Sequence, residues 1–542
     1  MLTPERLPTL ERPDLAPLQV PEPRTGRRVP GWAILSGLTA AALLLRIPTI
    51  GRAYWVDEAI SVGIASHPLR DLPGLLRLDG SPPLWYVILH FWMLAFGSTP
   101  VATHILALLI SLTITPLAYW AGRTLFSKTA GFAAAGLATA NPFLGWYATE
   151  NRMYSLLVAL ALVALTLTVK AVRDRNPRAA VGAVIAFTAL DYTHNWALYL
   201  TLVTGVYVLV RAVLARDRRL ALATVAAGAV VLALYAPWIP SLLRQTGYTA
   251  APWAVPPGIG DLFADPTTAL AGTLGALAVP VLVGAIIWTR REPSRDTKET
   301  ALFLATITAC TTLLGWAVSY IEPSWTVRYL AVTVPGWLLA ISGMLASSRR
   351  GRQVLVGVAA VLSAWLVAGN LLPNANPAYA KDNGGAIAAA ASSQLKRGDL
   401  VIVTQTEELP VMHYYLPAGL TYYNPMGKVN DPGVVNWTNI IQRLQRTNAC
   451  RTILPAIARL PVGAHVLEVD PRNAVGTSGS AWSKAVNHQV NVIEYLLTHE
   501  PSLRSTISYN QALRPKPYVP AIGELFVKQR GPTVCPPTAH RR

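Results

Sequence analysis

Residues 31–58 read GWAILSGLTAAALLLRIPTIGRAYWVDE, and this stretch decides the fold class. The run from Gly31 to Ile50 is mostly apolar, and a transmembrane helix needs about 20 such residues. The run continues into an aromatic turn that ends in two adjacent carboxylates, Asp57 and Glu58. The stretch therefore predicts a membrane span that delivers two acidic side chains to the membrane surface.

The rest of the chain has the composition of a membrane protein. Of the 542 residues, 52% are hydrophobic and only 14% are charged, whereas soluble proteins carry about 25% charged residues. The net charge of +18 would suit a nucleic-acid-binding protein. The basic residues, however, lie in short links between apolar segments, and this arrangement encodes membrane topology. We therefore expect membrane lipid as a partner and no nucleic acid.

The basic links predict a multi-pass topology, because cytoplasmic loops are rich in Lys and Arg. Residues 1–30, expected to be a disordered tail, contain arginines just before the first span, so the N-terminus is predicted to be cytoplasmic. The segment from Leu84 to Phe96 is too short for a span and would break the alternation of basic links, so we expect a helix on the outer leaflet. About eleven spans are predicted within residues 31–371, at 31–50, 101–121, 129–145, 153–170, 179–193, 195–211, 220–238, 267–289, 300–320, 330–347 and 353–371.

Residues 372–542 are predicted to form an extracytoplasmic α/β domain, because β-like and amphipathic helical pieces alternate there. Helices are expected at 385–395, 435–444 and 490–497, and strands at 399–404, 451–456 and 465–469. Outside the cytoplasm, Cys450 and Cys535 are able to form a disulfide, although two cysteines alone do not decide this. The predicted fold class is thus an all-α polytopic domain in the plasma (inner) membrane, followed by a small α/β domain.

Ionisable side chains gather at the predicted outer ends of the spans, where charges are costly and usually functional. Besides the two carboxylates of the first turn, the outer segments contain Asp79, Glu150, Arg152, Tyr154, Asp191, His194, Arg244, Arg328 and Tyr329. Each has a structural alternative, such as a local ion pair for Glu150 and Arg152 or snorkelling to the headgroups for Arg328. A base, an orienting acid and a guanidinium on one side of the membrane are what sugar transfer from a phospholipid requires.

At these residues the sequence resembles the C-type glycosyltransferase (GT-C) superfamily, in particular the bacterial mannosyltransferase-like branch related to protein O-mannosyltransferases. The resemblance covers most of residues 31–347 and rests on WVDE at 55–58, SPPL at 81–84, ENRMY at 150–154, YTH at 192–194, PWIP at 237–240 and RY at 328–329. It implies the GT-C fold with a large first outer loop. It also implies a catalytic aspartate at Asp57, a second acidic site at Glu150 and a phosphate-side arginine at Arg328.

The chain departs from the resembled pattern at two places. Many relatives have His where this chain has Ser81, and many have Gln and Ala where it has Thr149 and Asn151. The first departure removes a candidate metal ligand from the first outer loop. Some relatives use a divalent metal and others do not, so the metal is left unassigned and no cofactor is certain beyond the sugar donor itself.

The predicted function is inverting transfer of a sugar, with mannose as the first choice, from a polyprenyl-phosphate donor to an extracytoplasmic acceptor of the cell envelope. The acceptor is a glycan, a glycolipid or a protein. Two like charges in the first turn are expected to raise the pKa of one carboxyl. The expected site residues are, for catalysis, Asp57, Glu58 and Glu150; for the donor phosphate, Arg328, Arg152 and Arg244; and for orientation of acceptor or sugar, Asp79, Tyr154, Asp191, His194 and Tyr329.

Other functions remain open at the level of sequence. A transporter or flippase for a lipid-linked glycan would place charges at the bilayer midplane and often shows repeats, whereas the charges here lie at the ends of spans. A non-catalytic envelope assembly protein would tolerate loss of Asp57. A transferase with a lipid-pyrophosphate donor, and arabinose, glucose or galactose as the sugar, are not distinguished by the sequence.

Overall fold

The computed structural model of the protein describes residues 29–249, 251–371, 381–471, 479–510 and 520–536. Of the predicted N-terminal tail, residues 1–28 lie outside the described residues, as do 537–542 of the C-terminal tail. The helices of the first part are α1 Gly31–Arg46, α2 Val56–Ala65, α3 Leu72–Asp79, α4 Leu84–Phe96, α5 Pro100–Leu125, α6 Lys128–Ala140, α7 Pro142–Trp146, α8 Tyr154–Arg173, α9 Pro177–Asp191, α10 Ala197–Leu214, α11 Arg218–Tyr235, α12 Ile239–Tyr248, α13 Asp261–Ala271, α14 Gly275–Thr289, α15 Arg295–Val318, α16 Val334–Ala346 and α17 Arg349–Leu371.

Membrane-spanning helices form most of this first part. Within the described residues, eight helical stretches are long and apolar enough to cross a membrane, namely Gly31–Thr49, Pro100–Leu125, Tyr154–Arg173, Ala197–Leu214, Arg218–Tyr248, Asp261–Thr289, Arg295–Val318 and Arg349–Gly369. The other three predicted spans are also helices, but α6, α9 and α16 have only 13, 15 and 13 residues. The predicted multi-pass membrane protein is confirmed: within the described residues, eight of the predicted spans are long apolar helices and the other three are shorter helices.

Side-chain exposure agrees with a lipid environment. Helices α10 and α11 expose large apolar side chains along their length, including Leu202, Val206, Val210, Leu222 and Val225. An exposed apolar surface of this extent on a helix is stable against lipid rather than water.

The loop between α1 and α5, which the sequence predicts to be the first outer loop, contains three short helices. Helix α4 has the predicted bounds and 13 residues, which is about 20 Å at 1.5 Å per residue and shorter than the roughly 30 Å hydrocarbon layer. Helix α2 begins at Val56, so Asp57 and Glu58 lie in its first turn. Carboxylates are favoured there because the backbone N–H groups of a helix N-terminus are unpaired and carry partial positive charge.

The second part is the predicted α/β domain. Its elements are α18 Gly384–Ala391, β1 Leu400–Val403, α19 Leu409–Tyr415, β2 Thr421–Asn424, β3 Gly427–Val429, α20 Ile440–Gln445, α21 Ala449–Thr452, α22 Leu454–Ala458, β4 His465–Pro471, α23 Ala481–His499, β5 Leu503–Tyr509 and β6 Ala521–Lys528. The six strands form one sheet in the order β3-β2-β1-β4-β6-β5. Strand β1 pairs in parallel with β2 and β4, and the outer pairs are antiparallel. The predicted fold class is therefore confirmed.

One predicted strand of this domain is wrong. Residues 451–456 lie in α21 and α22 instead. The side chain of Asn448 accepts a hydrogen bond from the Arg451 N–H and caps α21, and Pro455 occupies the first turn of α22. Both are helix-start signals that override the β-branched composition of the segment.

The α/β domain packs against the outer loop of the membrane domain. Apolar residues of α2, such as Val56 and Ala59, share one core cluster with Leu409 and Met412 of α19. The Trp437 N–H donates to the carbonyl oxygen of Leu78 at 3.0 Å. A disulfide joins Cys450 to Cys535. The α/β domain thereby forms one wall of the region where the outer charged residues meet.

Candidate active site

Five segments of the membrane domain converge on a cavity of about 160 Å³. It is lined by the start of α2, the turn between α3 and α4, the turns before α8 and α10, and the segment before α16. The charged residues that line it are Asp57, Asp79, Arg152, Glu322 and Arg328. The cavity thus places carboxylates and guanidinium groups from segments far apart in sequence within one polar space.

Asp57 and Arg328 form the central pair of this cavity. Arg328 Nη1 donates to Asp57 Oδ2 at 2.7 Å, and the two side chains are 17% and 18% exposed, respectively. The Arg328 Nε is buried and has no hydrogen-bond partner among the described residues. The guanidinium therefore keeps a donor beyond those used to hold Asp57, and its fork geometry suits a phosphate oxygen.

Glu58 does not line the cavity, although it adjoins Asp57 in sequence. It is fully buried, and its Oε1 accepts hydrogen bonds from Arg52 Nη2 at 3.0 Å and from the Asn151 N–H at 2.9 Å. His104 Nε2 lies 3.0 Å from the same oxygen, and the Trp55 N–H donates to Oε2 at 3.4 Å. The carboxylate thus caps α2 and joins three segments.

The expectation that one carboxyl of the first turn has a raised pKa is wrong for Glu58. Burial alone would raise the pKa of Glu58, but the charges of Arg52 and His104 outweigh burial and lower it. A carboxylate with a lowered pKa and occupied oxygens is a poor proton acceptor. The structure therefore assigns Glu58 a fixed position outside the cavity.

A second hydrogen-bonded chain joins two lining residues, Asp79 and Arg152, through the wall of the cavity. The Tyr86 hydroxyl donates to Asp79 Oδ2 at 3.1 Å, and Arg152 Nη1 donates to the Tyr86 oxygen at 3.2 Å and to Ser61 Oγ at 3.0 Å. Burial raises the pKa of Asp79, and the Arg152 charge and the hydrogen bonds offset only part of this effect. Arg152 Nε is a buried donor without a partner among the described residues, so this second guanidinium also has bonding capacity left.

Glu150 lies behind the cavity rather than in its lining. It is fully buried, and Lys381, at the start of the α/β domain, makes an ion pair with its carboxylate. The Lys381 ammonium also lies 4.7 Å from the ring centroid of Trp146 and 5.3 Å from that of Trp55, within the range of cation–π attraction. The pair holds the turn whose next residues supply the Asn151 N–H to Glu58 and the Arg152 side chain to the cavity.

His194 and Tyr329 line the cavity. Their ring centroids are 4.6 Å apart in an edge-to-face arrangement. The Trp196 N–H donates to His194 Nδ1 at 3.1 Å, which leaves the ring proton of the neutral imidazole on Nε2. Burial, and then the charges of Arg152 and Arg328, lower the pKa of His194 to about 3. His194 is therefore a neutral hydrogen-bond donor toward the cavity at physiological pH.

Three other predicted site residues do not line the cavity. Asp191 is buried and accepts a hydrogen bond from Thr201 Oγ1 at 2.7 Å, and it makes no hydrogen bond to His194 among those of the described residues. Tyr154 is buried beside Tyr147 and His194, with a ring centroid 4.8 Å from that of Tyr147. Arg244 lies on α12 with an exposed side chain outside the lining.

No metal centre is evident in the part of the chain that the structure describes. No group of three or more His, Cys, Asp or Glu side chains there is arranged to hold a metal ion. Asp57 is already paired with the Arg328 guanidinium, and a fixed cation beside a carboxylate opposes a second cation through Coulomb repulsion.

Sequence reasoning missed several residues of this region. Glu322, Trp253 and Trp437 line the cavity, and Lys381 supports it from behind. Glu322 and Trp253 lie in predicted outer turns, so the sequence indicated that they are on the same side of the membrane as the other candidate residues. Trp437 and Lys381 come from the α/β domain, and nothing in the sequence tells which of its surfaces meets the membrane domain.

One protein-family model matches part of the chain. Residues 80–240 match the family model described as dolichyl-phosphate-mannose-protein mannosyltransferase. This segment contains Arg152 and His194 of the cavity. No curated protein sequence matches the chain.

Solved structures show the same fold over nearly the whole chain. The crystal structure of ArnT from Cupriavidus metallidurans in the apo state matches with a TM-score of 0.60 and 12% identity, covering 91% of this chain and 98% of that one. The same protein bound to undecaprenyl phosphate matches with a TM-score of 0.55, 13% identity and the same coverage. The oligosaccharyltransferase from Archaeoglobus fulgidus in the apo form matches with a TM-score of 0.53 and 10% identity, over 81% of this chain and 69% of that one.

Proposed function

We propose that this chain, which has the C-type glycosyltransferase fold and a protein-mannosyltransferase signature over residues 80–240, transfers a sugar from a polyprenyl-phosphate donor to an acceptor hydroxyl. Mannose is the first choice of sugar, because the description of the matching family names dolichyl-phosphate-mannose. ArnT, whose fold the chain shares, binds undecaprenyl phosphate, and this supports a polyprenyl phosphate as the carrier. The reaction takes place on the outer face of the plasma membrane, with the N-terminus cytoplasmic and the α/β domain extracytoplasmic.

The observation that carries the proposal is the contact between Asp57 and Arg328 in the cavity. A carboxylate able to accept a proton and a guanidinium able to hold a phosphate lie 2.7 Å apart. Sugar transfer from a phospholipid requires both groups in one site, because the attacking hydroxyl and the leaving phosphate lie on opposite sides of one anomeric carbon. Binding of the donor phosphate to Arg328 competes with Asp57 for the same donors and frees the carboxylate for its role as a base.

The reaction is a single displacement. The acceptor oxygen attacks the anomeric carbon, and its proton passes to Asp57. The bond between that carbon and the phosphate oxygen breaks, and the electron pair leaves with polyprenyl phosphate. The phosphate is a stable anion that needs no protonation, so one base suffices, and the anomeric configuration is inverted.

Two guanidinium groups stabilise the departing phosphate in this mechanism. Arg328 and Arg152 both line the cavity, and each has a buried Nε without a partner among the described residues. Buried N–H donors cost free energy unless they are paired, so a phosphate that accepts from both satisfies them. Arg244, with its exposed side chain outside the cavity, has no part in this step.

The remaining cavity residues position the acceptor and the sugar. Asp79, held by the Tyr86 hydroxyl, and neutral His194, held by the Trp196 N–H, present an acceptor and a donor of hydrogen bonds to sugar hydroxyls. Glu58 and the Glu150–Lys381 pair do not contact the substrates in this mechanism. They hold α2 and the turn that contains Arg152 in position. The acceptor is a glycan, a glycolipid or a protein of the cell envelope.

A donor panel tests the proposal. The purified full chain is incubated with radiolabelled polyprenyl-phosphate mannose, arabinose, glucose and galactose and with a membrane acceptor fraction, next to the Asp57→Asn variant. We expect transfer from one donor, lost in the variant while its thermal unfolding is unchanged. Transfer by the variant at the wild-type rate would contradict the role of Asp57. Transfer only from pyrophosphate donors would contradict the monophosphate donor.

A further inference from the structure

A second polar cleft lies on the α/β domain next to the catalytic cavity. It has a volume of about 450 Å³, within the 300–1,000 Å³ typical of small-molecule sites. The residues that line it come from the start of α20 and the segment before it: Asn436, Thr438, Asn439, Gln442, Arg443 and Arg446. No hydrophobic and no acidic side chain lines this cleft.

The side chains that line the cleft are suited to hydrogen bonding with hydroxyl groups. Three amides and one hydroxyl line the cleft, and each of these groups both donates and accepts hydrogen bonds. A sugar hydroxyl also donates and accepts, so a run of sugars matches such a lining. The absence of apolar residues from the lining argues against an acyl chain or an apolar peptide side chain as the occupant.

The two arginines do not form a phosphate clamp. Arg443 Nη1 donates to the carbonyl oxygens of Asn436 at 2.9 Å and of Thr438 at 3.1 Å. It therefore holds the cleft wall in shape and has fewer donors for a ligand. Arg446 is exposed at the end of the cleft. One free guanidinium beside several amides fits a glycan better than an anionic headgroup, for which two convergent cations are usual.

The chain segment around Trp437 contributes to both the cleft and the catalytic cavity. Trp437 lines the catalytic cavity, whereas the neighbours on both sides, Asn436 and Thr438, line the cleft. The Trp437 N–H donates to the Leu78 carbonyl at 3.0 Å, and the Asn439 N–H donates to the Tyr248 carbonyl at 2.9 Å. Both partners directly adjoin residues that line the catalytic cavity, so the cleft wall is fixed to the cavity wall.

The backbone of this segment turns at Asn439. Asn439 has φ 49°, in the left-handed region, which asparagine adopts more often than most residues other than glycine. The hydrogen bond to the Tyr248 carbonyl and the Arg443 contacts hold it there. Asn439 lines the cleft from this turn.

We propose that this cleft binds the acceptor as a glycan chain, with its terminal sugar passing Trp437 into the catalytic cavity. The inference rests on the proposed transferase function and specifies its acceptor as a polysaccharide or oligosaccharide. The sugars that lie away from the reacting one form hydrogen bonds with the amides of the cleft. Their binding free energy positions the terminal hydroxyl near Asp57, and binding at a distance from the reacting atoms is a general source of catalytic rate.

The test compares two matched double variants on α20 and its surroundings. Gln442→Ala with Arg446→Ala removes two cleft side chains, and Gln445→Ala with Arg451→Ala removes two exposed side chains outside the cleft lining. Binding is measured by fluorescence anisotropy on the full chain bearing Asp57→Asn, with labelled mannose and arabinose oligosaccharides of increasing length. We expect the cleft variant to weaken binding about tenfold or more, because each lost hydrogen bond contributes roughly a factor of 3 to 10, and the control variant to bind as the parent does.

Several outcomes would overturn the inference. Equal glycan affinity in the cleft and control variants would do so, as would binding of phosphatidylglycerol nanodiscs, but no oligosaccharide, through the cleft residues. Failure of the transferase function is separable, because the binding assay requires no turnover. Cleft-dependent glycan binding in a chain without transfer from any donor would keep the site and contradict only the function. In an active chain, the cleft variant should raise the KM for the glycan and leave the KM for the donor unchanged.

Discussion

Asp57 and Glu58 are adjacent in the first turn of α2 and have opposite surroundings. Asp57 is 18% exposed, lines the cavity and meets Arg328. Glu58 is fully buried and accepts hydrogen bonds from Arg52 and the Asn151 backbone. Successive residues of an α-helix point about 100° apart, since each turn has 3.6 residues. Two neighbouring carboxylates therefore have different positions: one faces the cavity, and the other lies in the wall behind it.

The other charged residues near the cavity also fall into two groups, those that face the cavity and those that lie behind its wall. Arg328 and Arg152 face the cavity, and the buried Nε of each has no partner among the described residues, whereas Glu150 and Lys381 face each other behind it. A charge that faces the cavity should affect turnover more than stability, and a charge behind the wall should affect stability first. Variants on the two sides of the wall test this division.

The Glu150–Lys381 pair should show the largest effect on stability. Lys381→Met leaves the Glu150 carboxylate buried without its partner, and breaking a buried ion pair in this way costs about 3–5 kcal/mol. We expect the apparent Tm of the purified protein, followed by tryptophan fluorescence, to fall by roughly 10 °C. Lys396→Met, at an exposed site of the same domain, serves as the control and should leave the Tm nearly unchanged.

A double variant sharpens this result. Lys381→Met with Glu150→Gln removes both charges, so it should be more stable than Lys381→Met alone. A double variant as unstable as the sum of its single variants would contradict the pairing of these two residues.

The arginines of the outer face should differ mainly in turnover. Arg328→Met removes a donor to the departing phosphate, and loss of one such preorganised donor typically costs about 10²–10³-fold in kcat. Arg244→Met, on the exposed face of α12, should change kcat less than about twofold. Steady-state transfer rates at saturating donor check both. A similar loss of kcat in both variants would contradict the assignment of the donor phosphate site to Arg328 in the cavity.

The buried acids of the α/β domain should make stability depend on pH. Burial raises the pKa of Glu407 to about 8 and that of Asp382 to about 7. The folded chain thus keeps protons that the unfolded chain releases above about pH 4.5. The stabilisation is present below that pH and is lost as the pH rises through 7 to 8.

The apparent Tm should therefore be higher at pH 5 than at pH 8, by roughly 5 °C for a contribution of about 2 kcal/mol. Glu407→Gln keeps a neutral side chain at every pH and should reduce the difference. A Tm difference of the same size in this variant would contradict the assignment to Glu407.

Much of the fold could be predicted from the sequence because membrane segments carry strong signals. The basic links and apolar runs located the helices, and the short run from Leu84 to Phe96 was recognised by its length. Each predicted span contains a helix, although α6, α9 and α16 are shorter than the others. The strand predicted at 451–456 failed because the local helix signals of Asn448 and Pro455 were overlooked.

The site could be predicted only in part, because a sequence orders residues along the chain and not around a cavity. Asp57, Arg152, His194 and Arg328 were identified by their position at the ends of spans and by the family resemblance. The opposite orientation of Glu58 depends on Arg52 and His104, whose meeting requires the packing of α1 and α5. The place of Lys381 and Trp437 depends on how the α/β domain docks, which no local pattern encodes.

The most direct test of the central claim compares Asp57→Asn with Glu58→Gln in single-turnover transfer from the donor that the wild type uses. The account predicts that Asp57→Asn lowers the rate about 10²–10⁴-fold, as loss of a general base does, with an unchanged Tm. It predicts that Glu58→Gln lowers the Tm first and retains a much larger share of the rate in the folded fraction. A fully active Asp57→Asn variant, or a stable Glu58→Gln variant without transfer, would contradict the assignment of the base to Asp57.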